Sequence, residues 1–262
     1  MLVVALVSLG RNSDQEAPLL AADLGVTAYE CGVLLRGAKP VIILRTDDPN
    51  RANDIVTRVR GRGNDVVVLD LADVTWNEQM FRPKSFRFEG EELVGQAASE
   101  ERRLPFADIF ALVRAVHTTE STETVMTRVT SPSFGRAAMT GGIKVTKTTE
   151  RETSRTEQSK EPVLYVFRGT EAPWLLASQY LRYEGLGPDL EVSKTANFEV
   201  LLRVLRERMP MVPFDTRLLQ VRPAATVMNP GSKAITMSSA HPIDILAHVV
   251  ASSLKSQVRP YR

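Results

Sequence analysis

The sequence predicts an α+β fold: a small β-α-α-β-α-β module, then a mainly antiparallel β module with a closing amphipathic helix. Three observations predict it. Apolar runs alternate with complete helix-start signals over residues 1–75. From Trp76 to about residue 220 the pattern changes to short strands between turn residues. Within that second stretch, Phe198, Leu201, Leu202, Leu205 and Met209 fall on one helical stripe.

The first strand is the apolar run at residues 3–9, and a short helix is expected from Asp14 to Leu24. Thr27 and Glu30 then form a capping box, and Val26 with Cys31 stand at hydrophobic-staple positions. Gly37 is expected to stop this second helix in the left-handed conformation. Val41 to Leu44 read as a second buried strand. Asp48-Pro49 opens the third helix with an N-cap carboxylate and proline at N1. Its apolar face is Ala52, Ile55, Val56 and Val59, with Gly61 and Gly63 ending it. Asp65 to Leu69 close the module as a third strand.

Beyond Trp76, Ser85-Phe86-Arg87-Phe88, a Glu89-Gly90-Glu91 turn and Glu92-Leu93-Val94 read as a hairpin with one wet face. Residues 104–116 fit either a strand entered through a short 3₁₀ turn or a single helix. Residues 118–160 are dense in threonine and serine, and much of this insertion is expected to be mobile for want of apolar surface. Strands are expected at Pro162 to Phe167, at Trp174 to Ala177 and around Tyr180 to Tyr183. Ser193 or Thr195 caps the helix from Ala196 to Met209, and Pro210 follows it. The tail, 221–262, is a Pro/Gly-rich loop and a helix from Pro242 to about Lys255. That helix carries Ile243, Leu246, Ala247, Val250 and Leu254 on one face, widened by Ile245 and Val249. So apolar a helix must be covered, by the N-terminal strands or by a second copy of the chain in a homo-oligomer.

The order of elements over roughly residues 3–71, carried by Leu24 to Glu30, Val33 to Leu35 and the Asp48-Pro49 helix, resembles the C-terminal domain of bacterial ribosomal protein L7/L12 and the related ClpS adaptor fold. The ribosomal family engages translation factors through lysines around its helix-turn-helix. Here that stretch carries Tyr29 and Gly32, so the role is not carried over. What the resemblance implies is a fold whose members hold another protein rather than perform chemistry. Residues 76–220 resemble a pleckstrin-homology-like (PH-like) barrel in architecture alone, which implies a lipid or peptide edge.

Lysine plus arginine number 33 against 31 acidic residues, so a net charge of +2 gives no reason to expect nucleic acid as a partner. The single cysteine, Cys31, forbids an internal disulfide and fits a reducing compartment. No apolar run approaches the ~20 residues that cross a bilayer, so a membrane partner is not expected and a cytoplasmic location is.

No catalytic, cofactor-binding or metal-binding residue is nominated. His117, His241 and His248 lack ligand spacing; His241 reads as a helix-start residue and His248 as a surface or half-buried one. Cys31 has no base or oxyanion hole beside it and is expected to be buried and inert. Gly141-Gly142 near Lys144 lacks Walker spacing. Asp47-Asp48 reads as helix capping, and Glu89, Glu91 and Glu92 as a solvated turn. The expectation is a non-catalytic cytoplasmic adaptor docking a protein. Its rivals are a kinase-regulated signalling subunit modified in its Thr/Ser-rich insertion, a lipid-binding PH-like protein, and an enzyme of unrecognised type.

Overall fold

The computed structural model describes residues 1–98, 100–132, 146–169, 171–221, 226–227 and 234–258, with the side chains at 122–132, 146–155, 226–227, 234–237 and 257–258 outside the description. The chain divides into two compact units. The first joins Met1–His117, Lys160–Ala224 and Ser239–Arg262; the second joins Thr118–Ser159 and Ala225–Ser238. Residues 1–75 and most of 76–220 therefore share one unit.

Strands β1 (Leu2–Ser8), β2 (Val41–Thr46) and β3 (Asp65–Asp70) make an antiparallel sheet in the order β2-β1-β3. Helices α1 (Ser13–Leu24), α2 (Ala28–Arg36) and α3 (Pro49–Gly61) complete the β-α-α-β-α-β order. The uninterrupted apolar run of β1 has a physical reason. Successive strand side chains point to opposite faces, and both faces are covered. Val4 and Leu6 pack with Ala17, Leu20, Cys31, Leu35 and Ile55 from the three helices. Val3, Ala5 and Val7 pack with Ile245 and Val249 of the last helix, α5 (Ala240–Val258).

The capping box at Thr27 and Glu30 is present in full, and Asp48 caps α3 through the Asn50 amide. Val26 is about half exposed while Cys31 is buried, so the two do not share a staple's burial. Gly37 corrects the expected stop. Its φ of −67° and ψ of 168° are extended, not left-handed. The terminal carbonyls are met instead by a side chain: the Lys39 ammonium donates to the Leu35 and Gly37 oxygens, each at 2.8 Å. The left-handed helix end belongs to Gly25 after α1, with φ of 74°.

In the second stretch β4 (Ser85–Glu89), β5 (Glu92–Ala97) and β6 (Glu100–Pro105) form an antiparallel three-stranded sheet. Gly95 is glycine because a Cβ there would lie 2.7 Å from the Trp174 ring and 2.9 Å from Phe81. The ambiguous 104–116 region resolves as a 3₁₀ turn, Phe106–Asp108, leading into a long strand, β7 (Ile109–Pro132). It neighbours β8 (Thr146–Arg168) in the sheet, and β8 in turn pairs antiparallel with β9 (Trp174–Ala177). Around Tyr180 to Tyr183 the chain turns, with only an isolated bridge from Arg182 to Ser85. Helix α4 (Lys194–Arg208), capped by Ser193, buries Phe198, Leu201, Leu202 and Leu205 against Trp174, Leu164, Leu112 and Phe86. The two-residue β10 (Phe214–Asp215) pairs in parallel with β7.

Helix α5 is the shared element of this unit. Ile243, Leu246, Ala247, Val250 and Leu254 pack on Ala111, Val113, Val163, Leu175 and Ala177 of β7, β8 and β9. Its other face covers the β1–β3 sheet. Both apolar faces are thus spent within the chain. Among the described residues of this helix no large apolar side chain is exposed, so of the two covers expected for it the chain itself supplies one.

The second unit holds most of the insertion at 118–160. At its described positions it is strand: β7 runs on to Pro132, and β8 begins at Thr146. Also here, β12 (Ala234–Ser238) pairs antiparallel with β7 and with β11 (Thr226–Val227). Threonine is β-branched and suits a pleated strand even where no core is available. The Gly141-Gly142-Lys144 stretch and most of the Pro/Gly-rich loop at 222–233 lie outside the described residues.

Candidate functional site

Period-two alternation places two polar side chains, His117 and Tyr165, where apolar ones are the rule. Val113, Ala115 and His117 on β7, and Val163, Tyr165 and Phe167 on β8, all face α5. Opposite them, in the first turns of α5, lies Asp244 between Ile243 and Ile245, with 0% of its surface exposed. The Tyr165 hydroxyl donates to Asp244 Oδ1 at 2.6 Å, and His117 Nε2 lies 2.7 Å from the same hydroxyl. A phenol has one proton. Since it goes to the carboxylate, His117 must donate from Nε2. Asp244 Oδ2 accepts the Asn77 backbone N–H at 3.0 Å and the Asn77 side-chain amide at 3.1 Å.

One helical turn on, the geometry also fixes the tautomer of His248. Its Nε2 accepts the Thr75 N–H at 3.2 Å, so Nδ1 holds the proton and donates to the Asp244 carbonyl at 2.8 Å. His241, at the exposed start of α5, places Nε2 3.0 Å from Glu78 and its ring 5.0 Å from Trp76. The segment from Thr75 to Glu78 is therefore stitched to α5 at several points.

Burial sets the electrostatics. It pushes the His117 imidazole down to about 4, with the nearby Arg82 charge acting the same way. His248 is pushed down by burial as well. Burial raises Asp244, against the hydrogen bonds from Tyr165 and Asn77 that favour its charged form. Tyr165 is held well above its ordinary value by burial and by the carboxylate beside it. This carboxylate–phenol–imidazole chain has the members of a proton relay. Tyr165 and Asp244 are nonetheless fully buried, and the clefts described below are lined by none of the three. Its evident work is to hold α5 and the 75–78 segment on the β7–β8 sheet, with the buried polar groups satisfied.

Cys31 is buried, and desolvation raises its thiol, which fits the inert reading. Asp48 caps α3, while Asp47 lies 3.5 Å from the N-terminal amine. Glu89 and Glu92 pair with Arg103 at the hairpin, at 2.8 and 3.1 Å. His248 departs from the surface or half-buried reading by being buried. Among the described residues no group of three or more His, Cys, Asp and Glu side chains could hold a metal ion, and no helix is long and apolar enough to cross a membrane.

Among the described residues, clefts open on the first unit at separate places. A cleft of about 630 Å³ lies at the end of α4, between Arg203, Arg206, Pro210 and Phe214. One of about 430 Å³ lies beside β4, between Arg87, Gln96 and Arg182. A third, of about 280 Å³, lies between α1 and α2 and is lined by Ala17, Pro18, Ala28, Tyr29 and Gly32, with Asp14 and Arg36 at its rim. Beside the third is an apolar patch. Tyr29 is 79% exposed, and Val26, Val33 and Leu19 are between 41% and 55% exposed. Tyr29 and Val33, four residues apart, line one side of α2, Val26 stands just before its N-cap, and Cys31 and Leu35 of the helix are buried.

Reading along the chain missed the buried cluster because Asn77, His117, Tyr165 and Asp244 come from four separate segments. The available signal was Tyr165 and Asp244 standing alone inside apolar runs. The patch on α2 was half visible: Tyr29 and Gly32 were singled out as departures from the ribosomal pattern. No family model, no curated protein and no solved structure matches this chain.

Proposed function

We propose that the protein is a non-catalytic docking protein that holds a protein partner through the α1–α2 face. The observation that carries this reading is the solvent exposure of Tyr29, which lines a cleft, together with that of Val33 one turn on and Val26 just before the helix. A tyrosine this exposed, flanked by two valines and rimmed by the Asp14–Arg36 ion pair at 3.5 Å, has the make-up of an interface centre: an aromatic anchor, apolar neighbours and a charged border. Val192, also exposed, lines none of the described clefts. A cytoplasmic partner fits the single, buried cysteine.

The test uses the full chain carrying a photo-activated cross-linking side chain at position 29, expressed in its native cell. A chain with the same group at Val192 serves as control. One protein captured at position 29, absent at position 192 and lost when Val33→Asp is added, supports the reading. Equal capture at both positions, or none at 29, overturns it.

A further inference from the structure

The cleft at the end of α4 has a chemistry of its own, distinct from the α1–α2 face. Its floor and sides are apolar: Met209, Pro210, Val212, Pro213 and the Phe214 ring. Two guanidiniums, Arg203 and Arg206, stand over it. The neighbouring charges are accounted for differently. Arg114 is paired with Glu199, Arg217 with Asp215, and Arg208 donates to the Gly90 carbonyl. Arg203 and Arg206, by contrast, have no carboxylate within 4 Å among the described residues. Arg206 lies 5.0 Å over the Phe214 ring, which positions its guanidinium plane without neutralising it. Glu207 also lines the cleft, so its net charge is that of one cation.

We infer that this cleft is a binding site for an acidic peptide segment that carries an apolar side chain. A carboxylate can take the planar fork of Arg203 or Arg206 in two parallel hydrogen bonds. An apolar side chain next to it would lie on Val212, Pro213 and Phe214. Met211, between the lining residues Pro210 and Val212 in sequence, is 91% exposed. The volume of about 630 Å³ is in the range that encloses a few side chains rather than a single ion. Charge complementarity selects the acidic partner, and the apolar floor selects a peptide over a bare anion.

The test is fluorescence anisotropy on the full chain. The probes are two labelled eight-residue peptides, one with glutamates flanking Leu-Phe and one with lysines in their place. The acidic peptide is expected to bind at least about tenfold tighter than the basic one, with affinity falling as salt rises. Arg203→Gln/Arg206→Gln is expected to lose that preference at an unchanged melting temperature, and Glu207→Gln to strengthen it. Both arginines are exposed, so the substitutions leave the core intact. Equal binding of the two peptides, undiminished binding by the double variant, or tighter binding of a single-stranded oligonucleotide than of the acidic peptide would each overturn the inference.

Discussion

His117 stands at the end of the inward face of β7, buried, with its Nε2 proton committed to the Tyr165 hydroxyl. That arrangement has a pH consequence. The imidazole is held at about 4 in the folded chain, against an ordinary 6.5. A group depressed in this way contributes stability that is present above its unfolded value and is lost as pH falls toward its folded one. Between pH 6.5 and about 4 the unfolded chain takes up a proton that the folded chain refuses, at a cost of up to about 3 kcal/mol. His248 acts in the same direction. Asp244 acts against them, because its raised value lets the folded state bind a proton more readily as pH falls. Chemical denaturation across this window is expected to show a decline that His117→Gln flattens. An unchanged slope in that variant would contradict the burial account. None of these roles could be read from spacing. Asp244 and His248 are single polar letters in an apolar helix, His117 stands at the edge of a polar stretch, and only the fold brings them together.

At the scale of elements, legibility follows how local the determining interactions are. The start of α2 was readable because both halves of its capping box lie within four residues: Glu30 N–H to Thr27 Oγ1 at 3.2 Å, and Thr27 N–H to Glu30 Oε2 at 2.9 Å. Thr27→Ala removes the side-chain acceptor and is expected to cost ~0.5–2 kcal/mol, read as a lowered melting temperature. The N-cap of α3 was readable for the same reason. The stop of α2 was not, because Lys39 satisfies the last carbonyls from outside the helix, a role invisible in a Gly-then-Pro pattern. The described part of the Thr/Ser-rich stretch is strand although its apolar content is low. Threonine favours extended backbone, and ladder hydrogen bonds can be supplied by strands far along the chain, as Ala234–Ser238 supply them to residues 119–123. Tyr180 to Tyr183 has the composition of a strand, yet it turns after β9 so that Leu181 and Tyr183 can enter the core.

At the scale of the whole molecule, the change of composition at Trp76 suggested a division that the first compact unit does not follow. The apolar tail helix was correctly read as needing cover. What composition could not supply was that its two faces meet two different sheets, Ile245 and Val249 on Val3, Ala5 and Val7, and Leu246 and Val250 on Val113 and Val163. Helix α5 and the Asp244 cluster thereby make residues 1–75 depend on residues 240–258 for the cover of one sheet face. The surfaces proposed for binding, on α2 and at the end of α4, are outworks of that single core. Native-state hydrogen exchange of the full chain in rising denaturant tests this most directly. The slow amides of β1, such as Val4 and Leu6, and those of β8, such as Leu164 and Val166, are expected to open in one transition with one free energy and one denaturant slope. Separate transitions for the two strands, with β1 opening while β8 stays protected, would contradict the shared core.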